Sequence, residues 1–130
     1  MDRKDHINFW LTSAAHDFEV AAALLEKGKN AWCLFIGHLV LEKTLKALYV
    51  RDNEKMIPPK IHNLAQLAEK TKLELTPEQK LFLLDVNDFH IEARYPDYKF
   101  NFYKTCTPDF TKDNFNKIKD FYGWLLEQIS

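Results

Sequence analysis

The first part of the chain carries apolar residues at regular intervals of three and four positions. They are Ile7, Leu11, Ala14, Phe18, Ala22 and Leu25. This spacing places all of them on one stripe of an α-helix, because a helical turn takes 3.6 residues. The pattern predicts a helix over about residues 4–27, and Gly28 is the residue type that commonly ends one.

The next segment, about residues 30–51, is apolar on nearly every side. A helix of this kind either lies at the centre of a bundle or is buried against a partner. Its few polar residues form one stripe, since His38, Glu42 and Lys46 follow one another at steps of four and Lys43 is adjacent. The simplest interpretation is a solvated stripe on which Glu42 and Lys46 form an ion pair.

The following segment contains weaker helical patterns and several turn signals. Pro58 and Pro59 indicate a loop, after which we expect a short helix over about residues 63–70, with His62 at its start as a helix-entry or capping residue rather than a ligand. A further helix is predicted from Pro77 to about Arg94. Thr76 and Gln79 form a capping box at its start, and Pro96 disfavours helix at the residue before it.

The last third divides into an irregular part and a helix. Residues 95–109 are rich in aromatic residues and show no clear period, so we expect them to be irregular. The final predicted helix covers about residues 111–129 and carries regularly spaced apolar residues: Phe115, Ile118, Tyr122, Leu125 and Ile129.

These elements predict an all-α fold for a single domain that spans residues 1–130. Four long helices with short connections form an up-and-down antiparallel four-helix bundle, with one extra short helix. The composition agrees, because the chain has only three glycines and its five prolines all lie after residue 57. A fold built on tight β-turns would need more of both in the first half.

Charge and cysteine content limit the functional classes. The net charge is −1, so binding to nucleic acid or acidic lipid requires a local basic patch. The two cysteines, Cys33 and Cys106, have no metal-ligand spacing and predict reduced thiols in the cytoplasm. No apolar signal segment or membrane span is present in the sequence, and we expect no metal site and no cofactor.

Several short motifs occur in a suggestive order. They are the segment from His38 to Leu48 (HLVLEKTLKAL), then Pro58-Pro59, then His62-Asn63-Leu64, and finally Ala93-Arg94-Tyr95-Pro96-Asp97. Together they resemble a HEPN domain (higher eukaryotes and prokaryotes nucleotide-binding), of the nucleotidyltransferase-associated type, over about residues 4–129. The resemblance implies a helical bundle that dimerises. It also implies work either as a ribonuclease or as the helical partner of a small nucleotidyltransferase, as in toxin–antitoxin pairs.

The resemblance is incomplete at the family's nuclease motif. HEPN nucleases place a histidine four to six residues after an arginine near the end of the fourth helix. Arg94 matches the arginine, but no histidine follows it in this chain. His90 lies one turn before Arg94, so a displaced histidine is the alternative for a catalytic role. Because histidine is the natural proton carrier near neutral pH, its absence from the expected place disfavours an enzyme.

The remaining candidate site is a set of charged and aromatic residues. Lys43, Lys46 and Arg94 are suited to binding phosphate oxygens. Glu42 and Asp97 are suited to orienting these basic side chains or to accepting hydrogen bonds from a nucleotide. Tyr95 and Tyr98 offer stacking faces. A structural alternative assigns Glu42–Lys46 and Arg94–Asp97 to simple ion pairs.

Three functional hypotheses follow. The leading one is a non-catalytic nucleotide- or RNA-binding module that acts with a small nucleotidyltransferase. The second is a metal-independent ribonuclease toxin that uses Arg94 with His90, and the third is a dimerisation module without a ligand. The apolar second helix and the aromatic segment at 95–103 predict a homodimer formed through the second and fourth helices.

Overall fold

The chain folds into six α-helices in a computed structural model that describes residues 2–94 and 96–129, with the side chains of 91–100 outside the description. The helices are α1 (Arg3–Glu26), α2 (Asn30–Asp52), α3 (Leu64–Glu69), α4 (Pro77–Arg94), α5 (Pro96–Thr105) and α6 (Pro108–Ile129). The described residues contain no β-strand. The long helices α1, α2, α4 and α6 form the predicted antiparallel bundle, and the all-α prediction is confirmed.

α1 begins and ends as its sequence predicts. The Asp2 side chain accepts a hydrogen bond from the backbone N–H of Asp5, and the Asp5 carboxylate accepts one in return from the Asp2 N–H. At the other end, Gly28 adopts a left-handed φ of 72°. The N–H groups of Gly28 and Lys29 then bond to the carbonyls of Leu25 and Leu24, which is the Schellman arrangement for ending a helix.

α2 lies at the centre of the bundle and contacts every other helix. Most of its residues are buried, including the three polar residues His38, Glu42 and Lys46. The prediction of a solvated polar stripe is therefore wrong. Of the two arrangements that suit an all-round apolar helix, α2 adopts the central one, because the five other helices pack around it.

Capping residues fix the ends of α3 and α4. Asn63, rather than His62, caps α3 by accepting a hydrogen bond from the Gln66 N–H, so the predicted capping role of His62 is wrong. The predicted capping box at α4 is confirmed, because Thr76 and Gln79 each bond to the other's backbone N–H.

The segment predicted to be irregular contains α5. Pro96 ends α4 as predicted, but proline is equally suited to the first position of a new helix, where its missing N–H is not needed. Pro108 repeats this arrangement at the start of α6, where the Thr107 hydroxyl accepts a bond from the Phe110 N–H. α6 therefore begins three residues before the predicted position.

One main core fills the space between the helices around α2. Its fully buried side chains include Leu34, Leu41, Leu45, Leu48, Leu64, Leu67, Leu83, Ile118 and Leu125. Cys33 and Cys106 are both buried, and neither forms a disulfide within the described part of the chain. Among the described residues, no helix is both long and apolar enough to cross a membrane.

Candidate functional site

Five polar side chains from three parts of the chain meet at one place beside α2. We call His38, Glu42, Lys46, His62 and His90 the histidine cluster. The first three lie on α2 at helical steps of four, so they share one face of that helix. His62 comes from the loop before α3, and His90 comes from α4.

Hydrogen bonds hold the three parts together. The Asn87 side chain on α4 accepts a bond from the Leu64 N–H (2.8 Å) and donates one to the Asn63 side chain (3.1 Å). These contacts tie the start of α3 to α4, three residues before His90. On the other side, the His62 carbonyl is 2.9 Å from His38 Nε2. The loop that carries His62 is thus fastened to both α2 and α4.

Glu42 is the centre of the cluster. Its Oε1 atom is 2.8 Å from His62 Nδ1 and 3.8 Å from His38 Nδ1, and its Oε2 atom is 3.1 Å from Lys46 Nζ. Glu42 is only 4% exposed, and a buried carboxylate requires a partner charge and hydrogen bonds. Lys46 supplies the charge, and its ammonium also lies 5.3 Å from the ring centre of Trp10, within cation–π range.

His38 is a neutral imidazole. Burial lowers its pKa from 6.5 to about 4, although the Glu42 carboxylate acts in the opposite direction. The His62 carbonyl can only accept, so His38 Nε2 carries the proton and Nδ1 carries a lone pair. This Nδ1 atom is buried and has no hydrogen-bond partner among the described residues.

The three imidazole rings run from the core to the surface. His38 is fully buried, His90 is partly buried, and the side chain of His62 is 54% exposed. The rings of His62 and His90 stack with centres 4.6 Å apart and planes within 20° of parallel. The rings of His38 and Phe35 lie against His90, with centres 4.8 and 5.4 Å away. The ring at the exposed end of this series is therefore that of His62, stacked on His90.

The structure brings together only some of the residues that the sequence nominates. Glu42 and Lys46 form the expected ion pair, inside the cluster rather than on a solvated surface. Lys43 points away from the cluster toward α1, where its ammonium is 2.7 Å from the Asp17 carboxylate and 2.8 Å from the Ser13 hydroxyl. It therefore does not share a site with Lys46.

The remaining nominated residues lie near the end of α4. Arg94 is the last residue of α4, four positions after His90 and thus on the same helix face. Asp97 and Tyr98 fall in the first turn of α5. Tyr95, and the side chains of Arg94, Asp97 and Tyr98, lie outside the described residues.

The meeting of the five residues of the histidine cluster at one place could not be predicted from the sequence. His38 and His62 are separated by 24 positions and His62 and His90 by 28, so no spacing rule links them. Donor atoms of Glu42, His62 and His90 lie within 4.8 Å of one another, although the sequence predicts no metal site. The one usable signal was the polar stripe on α2, because polar residues in an otherwise apolar helix need buried partners.

The comparisons with known proteins agree with the fold. The HEPN domain family model matches residues 7–129. The crystal structure of TT1696 from Thermus thermophilus superimposes with a TM-score of 0.79 at 18% identity, over 98% of each chain. No curated protein sequence matches significantly. Because the family match spans nearly the whole chain, the protein belongs to the HEPN domain family.

Proposed function

We propose that this HEPN protein binds nucleotide or RNA at the histidine cluster, with Arg94 and the start of α5 beside it. The observation that supports this most is the stacked pair formed by His62 and His90 at the surface. Imidazole faces are platforms on which unstacked bases bind, and arginine, the residue type one helical turn after His90 on α4, is suited to the adjoining phosphate. Family membership supports the nucleotide as the class of ligand.

The cations contribute unequally to this site. Lys46 is 7% exposed and already paired with Glu42, so its role is to neutralise the carboxylate as well as to add positive potential. Arg94, Tyr95 and Asp97 complete the proposed site as the phosphate, stacking and orienting residues. Lys43 is left out because its ammonium pairs with Asp17 on α1.

A binding experiment tests this proposal. Fluorescence anisotropy of a labelled short RNA, together with calorimetric titration of nucleoside triphosphates, should show binding that weakens as salt is added. Replacing Arg94 by lysine should weaken binding, since an ammonium cannot form a forked contact to phosphate. His62→Ala should weaken it by about 1–3 kcal/mol through the loss of a stacking face.

Two surface variants are the matched controls. Lys117→Ala removes one positive charge from an exposed position of α6, and His16→Ala removes one exposed histidine from α1. Both should bind like the unaltered protein. The proposal fails if neither ligand binds, or if the controls weaken binding as much as Arg94→Lys and His62→Ala do.

The hydrogen bond between Glu42 and His62 supports RNA cleavage as a second candidate. Glu42 accepts from Nδ1, which leaves the lone pair of His62 on Nε2, so His62 is oriented as a general base. His62 Nε2 would take the proton of a ribose 2′-hydroxyl as its oxygen attacks the adjacent phosphorus. The 5′-oxygen would leave with a proton from His90, giving a 2′,3′-cyclic phosphate and a free 5′-hydroxyl.

The cleavage candidate differs from the one that the sequence indicated, because His62 joins His90 and Arg94. Incubation of RNA with EDTA present should yield cyclic-phosphate ends, and His62→Ala and His90→Ala should each abolish them. The His16→Ala protein, purified in the same way, controls for contaminating nuclease. Intact RNA after incubation with the unaltered protein would leave only the binding proposal.

The partners of the protein are part of the same proposal. We propose that it acts with a small nucleotidyltransferase, as in toxin–antitoxin pairs, and that it forms a homodimer. The neighbouring gene tests the first point, because this role requires a nucleotidyltransferase to be encoded there or nearby. The proposed homodimer is supported by two apolar side chains that lie one turn apart on α4. Leu81 is 62% exposed and Leu84 is 48% exposed.

A further inference from the structure

Three potential metal ligands in the histidine cluster come from separate parts of the fold. Glu42 lies on α2, His62 in the loop before α3, and His90 on α4. One donor atom from each lies within 4.8 Å of the other two. Ligands bound at the usual distances to a tetrahedral zinc ion are about 3.3 Å apart, so small side-chain adjustments bring these atoms into range.

Hydrogen bonds from neighbouring residues already hold two of these ligands, Glu42 and His62, in place. Lys46 holds the Oε2 atom of Glu42 and leaves Oε1 facing His62. Asn87 fixes the start of α3 against α4, and His38 fixes the His62 carbonyl. Partners of this kind orient the ligands of natural metal sites and are needed for full affinity.

A second observation also indicates a cation here. The Nδ1 atom of fully buried His38 lies 3.8 Å from Glu42 Oε1 and lacks a hydrogen-bond partner among the described residues. Buried polar atoms normally have a partner, and one that lacks it marks a place where an ion or a water molecule fits.

We propose that Glu42, His62 and His90 bind one divalent transition-metal ion of the zinc class. Two imidazoles and one carboxylate suit zinc, cobalt and nickel, whereas magnesium and calcium prefer oxygen ligands alone. The exposed side of His62 leaves a fourth position open to water or to an anionic group. This site goes beyond the proposed function and does not require RNA to bind.

Calorimetric titration of the metal-free 130-residue chain with zinc chloride, without RNA, tests the proposal. We expect saturation at one ion per chain. His62→Ala and His90→Gln should each lower the affinity at least about tenfold, because even loss of a supporting residue around a metal has that effect. His16→Ala is the matched control, since it removes an exposed histidine from α1 and should leave the affinity unchanged.

A spectroscopic measurement identifies the ligands independently. The cobalt(II) form should show the strong visible absorption of a tetrahedral ion, and both cluster variants should lose it while keeping a helical circular dichroism spectrum. Absence of saturable zinc binding would overturn the proposal. So would equal affinity in the unaltered protein, His62→Ala and His90→Gln, which would place the ion elsewhere. Either result leaves the RNA-binding proposal standing, because no RNA is present.

Discussion

Glu42 is the residue around which the candidate site is organised. It is a carboxylate almost fully removed from water, and it is held by a lysine on one oxygen and a histidine on the other. Such a pair is not needed for packing, because an apolar pair of similar size is often as stable or more so. We therefore attribute the buried charges to function and expect their removal to have unequal effects on stability and ligand binding.

Lys46→Met should destabilise the protein by about 3 kcal/mol, because it leaves Glu42 buried without its cation. The double variant Glu42→Leu with Lys46→Met should recover most of this loss. Urea denaturation followed by circular dichroism measures both free energies of unfolding. Lys117→Met, at an exposed position of α6, is the control and should change the free energy of unfolding by no more than about 0.5 kcal/mol. A double variant as unstable as the single one would contradict the prediction.

Cys33 should be inert toward alkylating reagents in the folded protein. Burial raises the pKa of its thiol to about 12, so almost no thiolate, the reactive form, is present at pH 8. In a Cys106→Ser background, mass spectrometry should show alkylation by iodoacetamide only after urea unfolds the chain. Rapid labelling without urea would show that Cys33 is accessible.

At the scale of single elements, the two ends of α5 explain why it was not predicted. The residues of α5 include four aromatics without a strong helical stripe, and a proline stands at the start of each of α5 and α6. Proline stops one helix and starts the next with the same ring geometry. Which of the two it does depends on whether the following residues find a surface to pack against. Here Phe102 and Cys106 are buried in the main core.

The two glycines outside α2 should respond in opposite ways to alanine. Gly28→Ala should destabilise the protein by about 1–2 kcal/mol, because a side chain in the left-handed region strains the backbone. Gly123→Ala, in α6 with open space around it, should stabilise the protein by up to about 1 kcal/mol through higher helix propensity. Urea denaturation compares the two. Equal changes in both variants would show that the left-handed turn does not carry the effect.

At the scale of the whole molecule, the exposed apolar surface that supports a dimer lies on α4 rather than on α2. α2 is covered within one chain and contributes little free apolar surface, so the α4 face with Leu81 and Leu84 is the remaining support. Other exposed large apolar side chains lie elsewhere, such as Phe9 on α1. The proposed homodimer therefore uses the exposed face of α4.

Sedimentation should show a dimer of the 15.4 kDa chain at tens of micromolar. Leu81→Glu with Leu84→Glu should convert it to a monomer, since charges would be buried at the interface. Phe9→Glu is the control, because it places one such charge on a similarly exposed position of α1. A monomeric unaltered protein would remove the dimer from the proposal.

The sequence by itself determined five of the six helices and the family. Helical periodicity is local, and capping residues such as Thr76 and Gln79 act within one turn, so both can be identified without knowledge of the fold. The ordered motifs from His38 to Asp97 indicated a HEPN domain for the same reason, since they are properties of the chain alone.

Only the tertiary structure decided which polar residues meet. Glu42, His62 and His90 belong to three segments, and their distances depend on how the loop before α3 is fastened between α2 and α4. The same packing buried the polar stripe of α2, although its spacing is that of a solvated stripe. It also placed the Lys43 ammonium beside Asp17 on α1 rather than in the histidine cluster with Lys46. Burial depends on every neighbouring helix at once, so a periodic pattern along one helix cannot determine it.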